Sequence, residues 1–369
     1  MRTRDFVVEY QKTLDDSGTL IKDMDIVDPV SALYLEFEGT NGSTDNKANW
    51  LSDVITKVEI VDGSEVLYSL NLSELEALHF YKLGKTPTLF PSEWADGTQR
   101  HGCFLLFGRH LWDQQFGMNF ASLRNPQLKI TTNIAAIRAA SATDGFVSGT
   151  LKGTIIAKIM EDVSMPSKYL MAKEINSFTS ASGEKRIDLP IDYIYRMLML
   201  RVSARYSDID LTLSDLKLTC DSDKFIFLNR KVKQLDAEAF AQFGASRLKH
   251  DIVASYNDNV EILHHKEPDC RVWSTKESPG EYIAISYQWS GRLRIMVYDA
   301  AGAAVATDRK LTMVEEGHSF HGTLPIPFGI MDREETWFDP APYKKLEAVL
   351  TQATADHACQ ICLEQVRPF

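Results

Sequence analysis

Two cysteines three residues apart, Cys359 and Cys362 in "CQIC", are the pair in this sequence that most invites metal or redox chemistry. A structural zinc site takes four ligands, so a second pair at similar spacing should follow. None does. The residues around the pair alternate as a strand does, and on a strand residues three apart point to opposite faces. Core or edge thiols are expected. The histidine clusters are "HH" (His264-His265) and "HSFH" (His318 to His321). Adjacent histidines on a strand face opposite ways and chelate poorly, whereas a turn could bring His318 and His321 together. Neither cluster has an Asp or Glu at clear ligand spacing, which argues against a metal centre.

The acidic stretches "LDDSG", "YNDN" and "DSD" could hold calcium, but no EF-hand loop is present and solvated turns are expected. The sequence has no G-x-G-x-x-G, no Gly-Lys-Ser/Thr and no G-x-S-x-G; "GFVSG" (Gly145 to Gly149) misplaces its serine and reads as a loop. Buried packing is expected for most of the six tryptophans (Trp50, Trp94, Trp112, Trp273, Trp289, Trp337). No catalytic, cofactor-binding or metal residue is therefore assigned, and no cofactor is expected.

A formal net charge of −11 over 369 residues argues against a surface built to neutralise long runs of nucleic-acid phosphate. No apolar run reaches membrane-span length. The N-terminus "MRTRDF" lacks an apolar signal region, and the five cysteines (Cys103, Cys220, Cys270, Cys359, Cys362) are odd in number and scattered. Reduced thiols and synthesis in a cytoplasm are expected.

The elements that would position these residues are written twice. "LSDVITKVEIVDGSEVLYSLN" (Leu51 to Asn71) alternates with a period of two, turns at Asp62-Gly63 and returns. "LSDLKLTCDSDKFIFLN" (Leu213 to Asn229) repeats that pattern, four residues shorter. Two residues removed from each strand would leave every side chain on its face. Upstream, "DIVDPVSALYLEFE" from Asp25 parallels "DLPIDYIYRMLMLRV" from Asp188. Downstream, each hairpin runs into a helix. The first is read with Ser73 as N-cap and Glu76 closing a capping box, ending at Gly84. The second is read from Asp236, with Leu235 and Phe240 as a hydrophobic staple, ending at Gly244. "HGCFLLFG" then parallels "HGTLPIPFG", pairing His101 with His321, and "NFASLRNPQLKIT" parallels "WFDPAPYKKLEAVLT", pairing Asn119 with Trp337 and Phe120 with Phe338. Their equivalent places in the two copies suggest a structural job for the paired histidines, such as a hydrogen bond at a strand end, more than catalysis.

The offset between copies jumps from about 160 to about 220 after the helix, so the second copy carries about sixty extra residues, read as hairpins over 251–317. Many short strands with one helix per copy argue for two tandem antiparallel barrels, residues 1–163 and 164–369, with a junction near Pro166.

This organisation resembles the double jelly-roll major capsid proteins of tailless icosahedral, often lipid-containing bacteriophages. The residues that carry the likeness are the two hairpins with their helices and the closing "KLEAVLTQA" to "ICLEQVRPF". The resemblance implies an all-β fold of two eight-stranded jelly rolls with a short helix in each. It further implies a homotrimer forming a pseudo-hexagonal capsomer, the insertion as an outer tower, and a place in the virion. Neighbouring capsomers and minor or vertex proteins would be the partners, and no small-molecule substrate is implied. Arg2 and Arg4, in an N-terminal arm, would face an internal membrane or genome. Three other readings stay open at the level of sequence. A two-barrel glycosidase or amidase would need paired carboxylates in a cleft between the barrels. A cupin-type metal enzyme lacks its His-x-His, and a lectin or adhesin fits poorly with unpaired cysteines.

Overall fold

The structure, a computed structural model, describes residues 1–47, 49–134, 145–203, 208–261, 271–276, 281–289 and 292–369. The first half contains β1 (Arg2–Thr13), β2 (Ser17–Asp23), β3 (Val30–Thr40), β4 (Ile55–Asp62), β5 (Glu65–Leu70), β6 (Thr88–Phe90), β7 (Thr98–Leu106), β8 (Pro126–Asn133) and β9 (Lys152–Glu161). The second opens with β10 (Lys168–Thr179), β11 (Gly183–Leu189), β12 (Tyr195–Val202), β13 (Leu213–Cys220) and β14 (Phe225–Lys231). An excursion follows: β15 (Ser246–Ala254), β16 (Asp258–Glu261), β17 (Arg271–Lys276), β18 (Tyr282–Trp289), β19 (Arg292–Tyr298) and β20 (Arg309–Gly317). The barrel then closes with β21 (Thr323–Pro327), β22 (Leu346–Gln352) and β23 (Ala358–Pro368). The described α-helices are α1 (Leu51–Val54), α2 (Leu72–Leu83), α3 (Ile209–Thr212) and α4 (Val232–Phe243).

Each half has the strand order of a jelly roll. The first pairs β1-β9-β3-β7 in one sheet, with β6 outside β7, and β2-β8-β4-β5 in the other. The second pairs β10-β23-β12-β21 and β11-β22-β13-β14. The excursion forms two three-stranded sheets, β15-β20-β17 and β16-β19-β18, so it begins at Ser246, a few residues before the expected 251. It has its own small apolar core around Ile252, Leu293, Ile295, Val297 and Met313.

The repeat extends to register. Ile60 faces Leu128 and Leu218 faces Ala348, while Lys57 faces Thr131 and Asp215 faces Thr351. Irregularities recur in place: between Val7 and Glu9 opposite Ile156 and Ile155, and between Glu174 and Asn176 opposite Cys362 and Ile361. The turn aspartates do the same work. Asp62 Oδ1 accepts the backbone N–H groups of Arg124 and Asn125, and Asp221 Oδ1 those of Lys344 and Lys345.

This register corrects the pairing read from the letters. Ile55, not Leu51, corresponds to Leu213, since both lie opposite the residue that follows Thr131 or Thr351. The first Leu-Ser-Asp forms α1, whose counterpart is α3, while the second opens β13. The offset is 158 at Ile60 and Leu218 and 160 at Tyr68 and Leu228, so the hairpin turn lengthened by two residues and the strands did not shorten. Asp23 rather than Asp25 matches Asp188, because they face Gln127 and Glu347. His101 corresponds to Gly322, since Leu106 and Pro327 occupy one register position. The bridges Val30–Met118 and Tyr195–Phe338 make Met118 the counterpart of Phe338, which moves Trp337 onto Gly117. Identical tripeptides misled because a strand face constrains only whether a residue is apolar.

The helices also start earlier than read. Asn71 caps α2: its Oδ1 accepts the Glu74 N–H at 2.9 Å while Glu74 Oε2 accepts the Asn71 N–H at 3.0 Å. This capping box displaces the expected Ser73–Glu76 pair and frees the Glu76 side chain. Helix α4 begins at Val232, so Leu235 lies inside it and no staple forms at Asp236. Both helices end at a positive-φ glycine, Gly84 and Gly244, whose N–H returns to Phe80 O and Phe240 O at 2.8 Å.

Candidate functional site

The most elaborate polar chemistry in the molecule lies in the seam between the barrels. Parallel pairing of Ser69 in β5 with Lys173 in β10 joins one sheet of each barrel into a continuous eight-stranded sheet. Helix α2 fills the seam, with Leu72 through Tyr81 all buried. A helix buried on every side needs neighbours on every side. The first barrel supplies some; across the seam Phe80 packs on Phe320, and Tyr169, Met171, Ala172, Met197, Met199 and Cys362 of the second barrel join the same apolar core. Tyr81 donates its hydroxyl to Thr323 O at 2.6 Å and accepts the Phe320 N–H at 3.2 Å.

Glu76 is fully buried at the centre. His101 Nδ1 of the first barrel lies 2.8 Å from Oε1, and His321 Nε2 of the second lies 2.5 Å from Oε2. Burial alone would push this carboxyl up, but the two imidazoles outweigh it and hold Glu76 near 2. Burial, opposed by Glu76, lowers His321 to about 4, so at neutral pH it donates N–H as a neutral ring. Arg201, whose Nε donates to His321 O, also disfavours charge on that ring. His79 accepts the Phe104 N–H at 2.8 Å and burial lowers it to about 4; burial lowers His250, edge-on to Trp50, to about 3.

A second ionic lock crosses the same seam. Lys82 Nζ of α2 donates to Glu364 Oε1 at 2.5 Å, and Arg196 of β12 donates to Oε2. All three side chains are at most 1% exposed. Burial pushes Lys82 down to about 8 against the pull of Glu364. Such a group contributes little net stability, but removing its carboxylate strands two buried cations. What this constellation does chemically is to fix the two barrels in one orientation. Its carboxylates are enclosed and already bonded, with none open to a substrate.

The excursion of the second barrel rests on the first. Glu93 Oε2 accepts the Val253 N–H at 2.8 Å, Trp94 Nε1 donates to Ile252 O at 3.0 Å, and Ser92 bridges Asp251. Burial raises Glu93 to about 8, which leaves it a neutral carboxylic acid at pH 7. Lys47 pairs with Asp308 and Asp258 beside it.

The residues singled out in the sequence are dispersed. Cys359 packs in the core of the second barrel and Cys362 in the seam, on opposite faces of β23. His318 and His321 do not meet on one partner: His318 Nε2 lies 3.0 Å from Asp236, and His321 goes to Glu76. His264, His265 and Cys270 lie outside the described residues. Among the described residues, no group of three His, Cys, Asp or Glu side chains could hold a metal ion. The acidic turns bind their own loops: Asp16 accepts the Ser148 hydroxyl and the Gly149 N–H, Asp258 the Ser255 N–H, and Asp221 backbone as above. Residues 145–149 form a loop, with Phe146 in the core. Trp50 and Trp337 are buried. The N-terminal "arm" is β1, paired along β9; Arg4 binds Glu161 and Asp28, and Arg2 lies 3.5 Å from Asp162. Sequence reading assigned Glu76 to a helix cap and passed over Lys82, Arg196 and Glu364. Their only local signal is a charge among apolar residues in strands or helix faces that pack on both sides.

Two jelly rolls in one chain, with a helix in each hairpin-to-strand crossing, define a double jelly-roll fold. No protein-family model matches the sequence, and no curated protein matches it. Solved structures do. The chain is similar to a chain in the atomic structure of Sulfolobus turreted icosahedral virus (TM-score 0.58, 13% identity, covering 99% of this chain and 90% of that one). It is similar to the major capsid protein P2 of bacteriophage PM2 (TM-score 0.53, 11% identity, 100% and 98% covered). It is also similar to the capsid of the virus PBCV-1 (TM-score 0.58, 9% identity, 99% and 93% covered). At these identities the likeness is one of fold, the double jelly roll of major capsid proteins.

Proposed function

We propose that this chain is the major capsid protein of an icosahedral virus, assembling as a homotrimer whose six jelly rolls make a pseudo-hexagonal capsomer of the virion shell. The observation that carries the reading is the seam. Two barrels of matching register are locked edge to edge by a buried helix and two buried ionic groups, so one chain acts as a rigid double tile. A shell needs such rigidity, and a ring of identical chains closes by symmetry. The units are residues 1–163 and 164–369, the excursion from Ser246 to Gly317 is the tower, and neighbouring capsomers and vertex proteins are the further partners. Arg2 and Arg4 are already engaged by carboxylates, so contact with a membrane or genome through an N-terminal arm is not part of the proposal. The chain acts without catalysis: a two-barrel hydrolase needs accessible carboxylates between the barrels, and Glu76 and Glu364 are sealed there.

Negative-stain imaging of the purified chain tests the reading. Three-fold particles with a hexagonal outline are expected. Two-lobed single chains at every concentration would contradict it.

A further inference from the structure

The stretch "HGCFLLFG" has two sides, and the seam uses only one of them. Cys103 and Leu105 of β7 face the core. Gly102 and Phe104 alternate with them and face outward. On that outer side the end of α2, strand β6 and the loop after β7 enclose a cavity of about 450 Å³. That is an ordinary size for a small-molecule site. Three rings stand along it. Tyr34 lies 5.1 Å from Phe104 between ring centres, and Phe104 stacks on His79 at 5.6 Å. A glycine inside a strand weakens it, and often marks a close approach. Here a Cβ on Gly102 would meet the Tyr34 hydroxyl at 2.4 Å, so the bare backbone is what lets the Tyr34 ring lie across β7.

The polar groups of the cavity are donors. His79 is only 5% exposed. Its Nδ1 accepts the Phe104 N–H at 2.8 Å, so the neutral ring carries its proton on Nε2. Burial lowers His79 to about 4, which keeps the ring neutral. Among the described residues Nε2 has no hydrogen-bond partner, and it is not sealed in protein, so this N–H faces the cavity. Lys85 lines the same cavity and has no carboxylate partner among the described residues. Glu36, on the Tyr34 side, is already engaged by the Tyr34 hydroxyl at 3.1 Å. One unpaired ammonium and one nearly buried neutral N–H suit a single negative charge with two acceptor oxygens. A phosphate dianion would call for a second cation. Leu83, Leu111 and the rings offer a flat apolar body its surface.

We propose that this cavity binds a small aromatic carboxylate, its ring against Phe104 and Tyr34 and its carboxylate between the His79 Nε2–H and the Lys85 ammonium. Thr323 and Pro325 stand in the second barrel where Gly102 and Phe104 stand, so the constellation is not repeated there.

The test is titration calorimetry of the full chain with 1-naphthoate and with the uncharged 1-naphthamide. Lys85→Met keeps the stem and removes the charge; Leu111→Trp fills the cavity. Each variant is first shown to melt like the unmodified chain, and should Leu111→Trp fail to fold, Lys85→Met decides alone. Saturable binding of one naphthoate per chain is expected, with the amide about tenfold weaker or more. Lys85→Met should weaken the acid by about tenfold and leave the amide unchanged, the effect of losing one charged partner. Leu111→Trp should abolish binding of both. No saturable binding at millimolar naphthoate overturns the proposal. So does equal binding of acid and amide, or naphthoate binding that Lys85→Met leaves untouched.

Discussion

Glu76 is a carboxylate whose two oxygens answer to two different barrels. Replacing it with alanine leaves the ring nitrogens of His101 and His321 without their shared acceptor and opens a cavity, and should cost about 2–5 kcal/mol in urea unfolding. Glu364→Ala, which leaves the buried cations Lys82 and Arg196 without their shared carboxylate, should cost a similar amount, about 3–5 kcal/mol. The histidines set the pH dependence. His79, His250 and His321 sit near 4, 3 and 4 in the folded chain, against an ordinary value of 6.5. Between pH 6.5 and about 4 the unfolded chain binds protons that the folded one refuses. The raised carboxyls oppose them: Glu93, near 8, and Glu74, near 7, hold protons that the unfolded chain releases above about 4.5. Stability should then rise as pH falls from 8 to about 6.5, and fall below 6.5 by about 1.4 kcal/mol per unit for the one histidine left uncancelled, more steeply once the carboxyls drop out near 4.5. A urea midpoint that stays flat from pH 6.5 to pH 4 would contradict this. Little of it was legible in sequence, because Glu76 acquires its role from a residue 245 positions away. The strand reading of Cys359 and Cys362 was legible, because alternation is local and fixes which face each thiol takes.

At the level of elements, the order of strands and the presence of one long helix per barrel could be read from alternation and turn chemistry. Register could not. Apolar identity on a strand face is degenerate, so Leu-Ser-Asp attracted Leu-Ser-Asp while the backbone paired Ile55 with Leu213. Helix starts were misread, by two residues at α2 and four at α4, for a related reason: several polar residues can cap, and Asn71 with Glu74 outcompeted Ser73 with Glu76. The excursion was legible as strands, but its support was not. Trp94 holds Ile252 through its indole N–H and lies under Lys310, with 5.2 Å from ammonium to ring. Trp94→Ala should therefore raise hydrogen exchange across β15 and β20 by an order of magnitude or more while the barrel strands stay protected, for a local loss of about 1–2 kcal/mol. Equal deprotection of β3 and β12 would show that the excursion is not a separate cooperative unit.

The whole molecule is a pair of matched barrels made unequal by what each leaves uncovered. Under the proposed function, copies of this chain associate as a closed trimer. The solution mass by light scattering, measured across a wide range of concentrations, tests it most directly. A stable species of three times the 41.7 kDa chain is the expected result. A mass that stays at one chain at the highest attainable concentration would contradict the account.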